Sequence, residues 1–440
     1  MSLARRLLPV AGPLGIAAAL AVITSLGDDE ATRLRAPVYS EHPRGPAGPE
    51  AAPPGPEPAP AAARPALPPV DRPRCIASMT VQELGRQLMT MRHAEAIAEL
   101  YRDDAPPAVA RAYLQGLADT ATALSPGIAR SRLLVLAAEG LVRLGHAEPA
   151  RVALEASRVL PPPPPSDFGF ERSDWRAQAA RVAARLDDHA LAKTLVEDDP
   201  EARAELARHY AEAGDSKRAR GFLAGTPEHA GLGWRLAQAS ALAGVGDLEA
   251  ALALAGPVDR DGALVQLSMA RTLVAQGHRD DAAAVLLAAV DGMPETLEQW
   301  DRLSAAVAIA KALDEAGRRD AALERLERTR EELEGKGDHF RALEAWASLI
   351  DVEHRLGKTE QAWADVEAFG KLSLADINAA PMTRVLLLTR EGRLAEALTV
   401  VHATAAITYP LAYAHVHARM QEPDAALERE LDDGLRMFCP

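Results

Sequence analysis

The chain has 440 residues, 48% of them apolar and only 4% aromatic, with a formal net charge of −14. The length suits two or three domains or one long array, and the composition supplies a core of small and aliphatic side chains. The acidic balance excludes nucleic acid as an expected partner, because phosphate backbones are bound chiefly through Lys and Arg.

The first element is an apolar run from Leu7 to Leu26, preceded by Arg5 and Arg6 and followed by Asp28, Asp29 and Glu30. A helix of about 20 apolar residues crosses a bilayer. The basic flank predicts that the N-terminus stays in the cytoplasm and the rest lies outside it. A cleaved signal peptide is the alternative, although its apolar core is ordinarily about 7–15 residues. Residues 1–27 are thus expected to be a transmembrane anchor or a signal peptide. Residues 28–75 follow as a Pro/Ala-rich linker, with 13 prolines between Pro37 and Pro73. Such a composition predicts a disordered, semi-rigid spacer.

Residues 76–440 read as helix after helix, with apolar residues at three- and four-residue spacing. Asp199 before Pro200 and Thr226 before Pro227 mark helix starts, since Pro fits the first turn and Asp or Thr caps it. No stretch alternates as strands do, so the fold class is all-α. The Pro161–Pro165 run marks a possible break at 161–172. Cys75 and Cys439 sit at the two ends of this region. Two cysteines make neither a disulfide framework nor a Cys-rich zinc site. A bridge needs Cα atoms within about 7 Å. An elongated array would hold its ends apart, so two separate thiols are expected.

One phrase recurs through the helical region. Gly145, Gly214, Gly246, Gly277, Gly317, Gly357 and Gly392 each precede an Ala by five residues. Asp187 with Ala192 is a degenerate copy. Ala138, Ala207, Ala239, Ala270 and Ala310 stand seven residues ahead of their Gly. A large side chain usually lies four residues before it, as with Leu141, Tyr210 and Leu273. This is the pattern of an antiparallel helix pair. The Gly closes the first helix in the left-handed conformation, and the Ala residues mark close approach. One pair cannot bury its apolar face alone, so pairs stack.

The Ala…Gly…Ala skeleton resembles the tetratricopeptide repeat, over roughly residues 128–405. The aromatic usual before the Gly appears here only as Tyr210, and the Pro that closes each family repeat is mostly missing. The resemblance implies an α-solenoid of antiparallel helix pairs, whose first helices line a concave groove. It implies protein partners, bound as an extended peptide or a helix. On those helices Glu139, Arg208, Arg271, Lys311, Asp314, Asp351 and His354 are the candidate groove contacts. Some family members clamp a carboxylate with Asn and basic residues; this chain has a single Asn, Asn378, so that clamp is not expected.

No signature of catalysis is present. Gly357-Lys358-Thr359 ends like a phosphate-binding loop, but the earlier Gly would fall at Val352 and the context is helix–turn–helix. His415 and His417 are two apart and point to different helix faces, which does not suit a shared metal. No catalytic, cofactor-binding or metal-ligating residue is therefore expected, and no cofactor. The expectation is a membrane-tethered, non-enzymatic scaffold that binds proteins on the extracytoplasmic side. Heavy Ala, Arg and Pro usage points to a GC-rich bacterial source, which would make that compartment the periplasm. A periplasmic chaperone-like or envelope-assembly factor, and a helical regulatory part of an enzyme system, are the alternatives.

Overall fold

A computed structural model describes residues 70–82, 88–158, 172–224, 231–293, 299–334, 340–371, 379–404, 409–421, 424–436 and 439. The expected anchor, most of the linker, the Pro161–Pro165 run, the Thr226–Pro227 helix start and Asn378 lie outside the described residues. Within them the chain is all-α, with 21 helices packed against one another, and no helix there is long and apolar enough to cross a membrane.

The first helix, α1 (Arg72–Gln82), begins ahead of the boundary at Ile76 that the sequence suggests. Ten successive helix pairs follow, and the two helices of each of the first nine pack on each other. They are α2 (Leu88–Asp104) with α3 (Pro107–Thr122), α4 (Ile128–Arg143) with α5 (Ala147–Arg158), and α6 (Arg172–Arg185) with α7 (His189–Leu195). Then come α8 (Pro200–Glu212) with α9 (Ser216–Leu223), α10 (Leu232–Gly244) with α11 (Leu248–Ala255), and α12 (Arg260–Ala275) with α13 (Arg279–Asp291). The last are α14 (Gln299–Glu315) with α15 (Arg319–Leu333), α16 (Phe340–Arg355) with α17 (Thr359–Phe369), α18 (Ala379–Arg390) with α19 (Leu394–Val401), and α20 (Tyr409–Ala418) with α21 (Ala425–Arg436).

The recurring phrase builds the pairs from α4 to α19. At Gly277 φ is +84°, and all seven repeat glycines share this left-handed backbone. The amide of His278 donates to the carbonyl of Leu273, and that of Gly277 to Val274. These two bonds satisfy carbonyls that the helix end would otherwise strand. Asp187 takes the same conformation at φ +61° without being Gly, and its neighbour Asp188 donates to Ala183 in the same way. Asp188, Asp215 and Asp247 then cap the second helices through their side chains. Asp199 caps α8 ahead of Pro200, as its sequence predicts. The Ala five residues after each turn is fully buried at 0% exposure, from Ala150 to Ala397. Ala138, Ala180, Ala207, Ala239, Ala270 and Ala310 match it from the facing helix at 0%. A methyl is all that fits where the two backbones approach.

Each even-numbered helix packs against the even-numbered helices before and after it. The series does not end at α20, because α20 packs against α2. The even helices therefore form a closed inner layer and the odd helices an outer one. α1 belongs to the outer layer and fastens the join, packing on α3 and touching α20 and α21. Gly116 permits this, since a Cβ there would stand 2.7 Å from Arg74 Cγ. Arg72 Nε donates to Asp432 at 2.8 Å, and its Nη1 reaches Glu428 at 3.3 Å. Tyr101 on α2 meets His417 Nδ1 on α20 at 3.0 Å, and Arg419 pairs with Asp104.

Ring closure overturns the expectation of two separate thiols. Cys75 and Cys439 form a disulfide across the join, with Cα atoms 5.7 Å apart and 364 residues of chain between them. The expectation failed because it assumed an array whose ends diverge.

Candidate functional site

The inner helices carry polar residues at two fixed places, six and two residues before the turn. These lie one helical turn apart and share a face. Six before the turn stand Glu139, Arg181, Arg208, Ser240, Arg271, Lys311, Asp351 and Leu386. Two before it stand Arg143, Arg185, Glu212, Gly244, Ala275, Glu315, Arg355 and Arg390. The two rows hold eight cations against four carboxylates, on a chain whose net charge is −14. These two rows thus carry net positive charge on a chain that is acidic as a whole.

The rows form a network that passes from helix to helix. Glu139 on α4 accepts from Arg143 at 2.9 Å and lies 4.0 Å from Arg181 on α6. Arg181 reaches Glu205 on α8 at 3.3 Å, and Glu205 also accepts from Arg208 at 2.6 Å. Burial would raise the Glu139 carboxyl, but Arg181, Arg143 and Arg185 outweigh it and hold the group down at about 2. Further round, Asp351 on α16 is 1% exposed and is gripped by Arg390 of α18 and by Arg355. Lys311 stands between them and Arg271. Burial, then the Arg355 charge, lower its ammonium below the ordinary lysine value. At α10 the rows contract to Ser240 and Gly244. These small residues let α8 and α12 meet across the gap. Thr272 donates to Glu212 at 3.3 Å, and Gln276 donates to the carbonyls of Ala211 and Gly244 at 2.6 and 2.7 Å.

Of the groove residues suggested by sequence, Glu139, Arg208, Arg271, Lys311 and Asp351 fall on one repeat position and share this face. Asp314 and His354 fall three residues before the turn instead. Asp314 is half-buried outside the rows. His354 lies 3.2 Å from Glu391, which also accepts from Trp363 Nε1 at 2.6 Å, so it joins two neighbouring pairs rather than lining the inner face. Sequence reasoning misses Arg143, Arg181, Arg185, Arg355 and Arg390. Aligning the copies on their turn residue finds them, because all but Arg181 occupy the place two residues ahead of it.

His415 and His417 are packed inside α20, at 2% and 8% exposure. Burial lowers them to about 3 and about 4 respectively. Among the described residues no cluster of His, Cys, Asp and Glu is arranged to hold a metal. One buried acid pair stands apart from the inner face. Glu353 on α16 and Asp365 on α17 are 3% and 7% exposed, with Arg330 of α15 3.7 Å from Glu353. Burial, then the bond to Asp365, push the Glu353 carboxyl up, to about 8. The pair is packed between layers and presents no open surface.

The chain matches no family model and no curated relative.

Proposed function

We propose that this chain is a non-enzymatic scaffold of tetratricopeptide-like helix pairs that binds a protein partner on its inner face. It acts on the extracytoplasmic side, tethered by the apolar run Leu7–Leu26 or released there after that run is cleaved. The observation that carries the reading is the alignment of charged side chains at two repeat positions on neighbouring inner helices. Pre-ordered helices hold those groups in place, which limits the ordering cost of association. A client-holding chaperone would favour an apolar concave surface, and the charge of this face supports a specific partner instead. The Cys75–Cys439 bridge supports an oxidising compartment, where disulfides persist.

A photo-crosslinking residue placed at Glu315 or at Val152 in the full-length chain in cells tests this. Glu315 is exposed on the inner face, and Val152 is 59% exposed on the outer helix α5. One recurrent adduct from position 315, absent from 152, is expected. Many unrelated adducts from 315 would favour the chaperone reading, and adducts from 152 alone would sink the inner-face assignment. Protease treatment of intact cells, before and after the outer compartment is opened, checks the side of the membrane.

A further inference from the structure

The inner face is not uniform. At Asp351 a buried carboxylate is shared by two arginines, Arg355 and Arg390, with Lys311 and Glu315 nearby. At the junction of α4 and α6 the balance is different. Three guanidiniums, those of Arg143, Arg181 and Arg185, face the carboxylate of Glu139, and only Arg181 has a second acid, Glu205 at 3.3 Å. Arg185 lies one turn beyond Arg181 on α6, at the same repeat position that Arg143 holds on α4. It makes no ion pair among the described residues, and its buried Nη1 meets no protein acceptor. Arg143 is its strongest charged neighbour, a like charge, and burial together with that repulsion brings Arg185 down to about 10. A guanidinium held against two others, with a nitrogen unsatisfied, is costly unless something neutralises it.

We propose that Arg143, Arg181 and Arg185 form a site on the inner face for an oxyanion of the phosphoryl class. The three guanidiniums outnumber the two carboxylates they face, Glu139 and Glu205, so the site keeps net positive charge for an anion. Planar, forked guanidiniums suit the oxygens of a tetrahedral anion, and charge-assisted bonds of this kind are the strong ones. The site is open to entry, since the side chains of Arg143 and Arg181 are 37% and 17% exposed. The phosphoryl group can belong to a free anion or to a phosphorylated protein segment. The inference needs only the inner face, not the protein partner proposed above, so either can fail alone.

The test titrates full-length protein in detergent by calorimetry with inorganic pyrophosphate, with a phosphoserine peptide, and with acetate. Wild type should bind at least one of the two phosphoryl probes and should not bind acetate. Pyrophosphate binding identifies a free anion as the ligand, and binding of the peptide alone identifies a phosphorylated segment. Arg185→Gln should weaken binding at least tenfold, with its circular dichroism unchanged. Glu139→Gln should tighten it severalfold, because it removes the competing negative charge; a purely structural cluster would not respond in that direction. Arg318→Gln, at an exposed ion pair with Asp280 on the outer layer, should change nothing. Wild type that binds neither phosphoryl probe, equal binding of acetate, or unchanged affinity in Arg185→Gln would overturn the site.

Discussion

Two kinds of joint hold this ring, and they are made of different chemistry. Between ordinary pairs the joint is aliphatic. Ala251, Ala282 and Ala322 are closed to solvent at 0%, with Leu286 and Leu326 filling the space around them at 0% and 2%. The seam between the last pair and the first is aromatic, ionic and covalent. Four of the six tyrosines of the chain, Tyr101, Tyr113, Tyr409 and Tyr413, lie there. Tyr101 stacks on Tyr113 with ring centroids 4.3 Å apart, and Tyr409 packs on Tyr413 at 4.4 Å. Arg72 bridges to Glu428 and Asp432, and the disulfide crosses nearby. Repeat joints form between neighbours in sequence and need little specificity. The seam must bring residues more than three hundred positions apart together, and loop closure opposes it.

The largest expected effect comes from cutting the covalent part of the seam. In the chain-entropy account a crosslink across 364 residues contributes up to about 6 kcal/mol, while strain and residual structure commonly reduce it. Cys439→Ser, or reductant added to wild type, should lower the melting temperature and separate the seam from the array. Hydrogen exchange should rise first in α1, α20 and α21. Uniform exchange across all pairs would mean that the ring unfolds as one unit and that the seam is no weaker than the rest.

pH separates the two joints in opposite directions. At the seam His417, held against Tyr101, is lowered from 6.5 to about 4, and its neighbour His415 to about 3. The unfolded chain therefore takes up these protons first. Their contribution to stability is complete above pH 6.5 and is lost as pH falls toward 4. Each contributes a slope of at most about 1.4 kcal/mol per pH unit, so acid should cost the seam roughly 2–4 kcal/mol by pH 5. In the array Glu353 is raised from 4.5 to about 8. The folded chain keeps that proton longer, so its contribution is complete below pH 4.5 and is lost as pH rises to about 8. His417→Gln should flatten the acid side of the stability curve and Glu353→Gln the alkaline side. The opposite assignment in urea melts would reverse the sign given to each.

Overpacking an array joint should have an intermediate effect. Ala282→Leu adds three carbons where none fit, at an expected cost of about 1–3 kcal/mol; a variant as stable as wild type would show that the pairs can spread. This position is legible in the sequence, because a small residue recurring at a fixed distance from Gly can only mark close approach. The eight turns and the helix pairing of this stretch are legible for the same reason. Closure is not. The residues that make it, such as Cys75, Tyr101, His417 and Asp432, occur once each and lie far apart along the chain. No period announces them. The inner charged rows are half legible. Choosing polar residues on first helices finds their first member on five helices, but Arg143, Arg185 and Arg390 need the copies to be aligned on the turn.

The smallest effect lies inside the array, at the turn that departs from its own rule. Asp187 holds φ +61° where the other seven copies place Gly. For an L residue this conformation costs about 1–2 kcal/mol, less for Asp, whose short polar side chain tolerates it. Gly removes that strain but adds freedom to the unfolded chain. The two terms oppose each other, and strain is the larger here. The Asp187 carboxylate gains little in return, since the imidazole of His189 lies 4.0 Å away and the side chain is 96% exposed. Asp187→Gly should therefore stabilise the chain by about 0.5–1 kcal/mol, read as a small rise in melting temperature. Gly277→Ala, at φ +84° with nothing within 4 Å of the added Cβ, should lose about 1 kcal/mol. Open space at that site makes the loss a pure backbone effect. If Asp187→Gly instead destabilises, the aspartate makes a contribution of its own at this turn, and the α6/α7 pair is not a degenerate copy of the others.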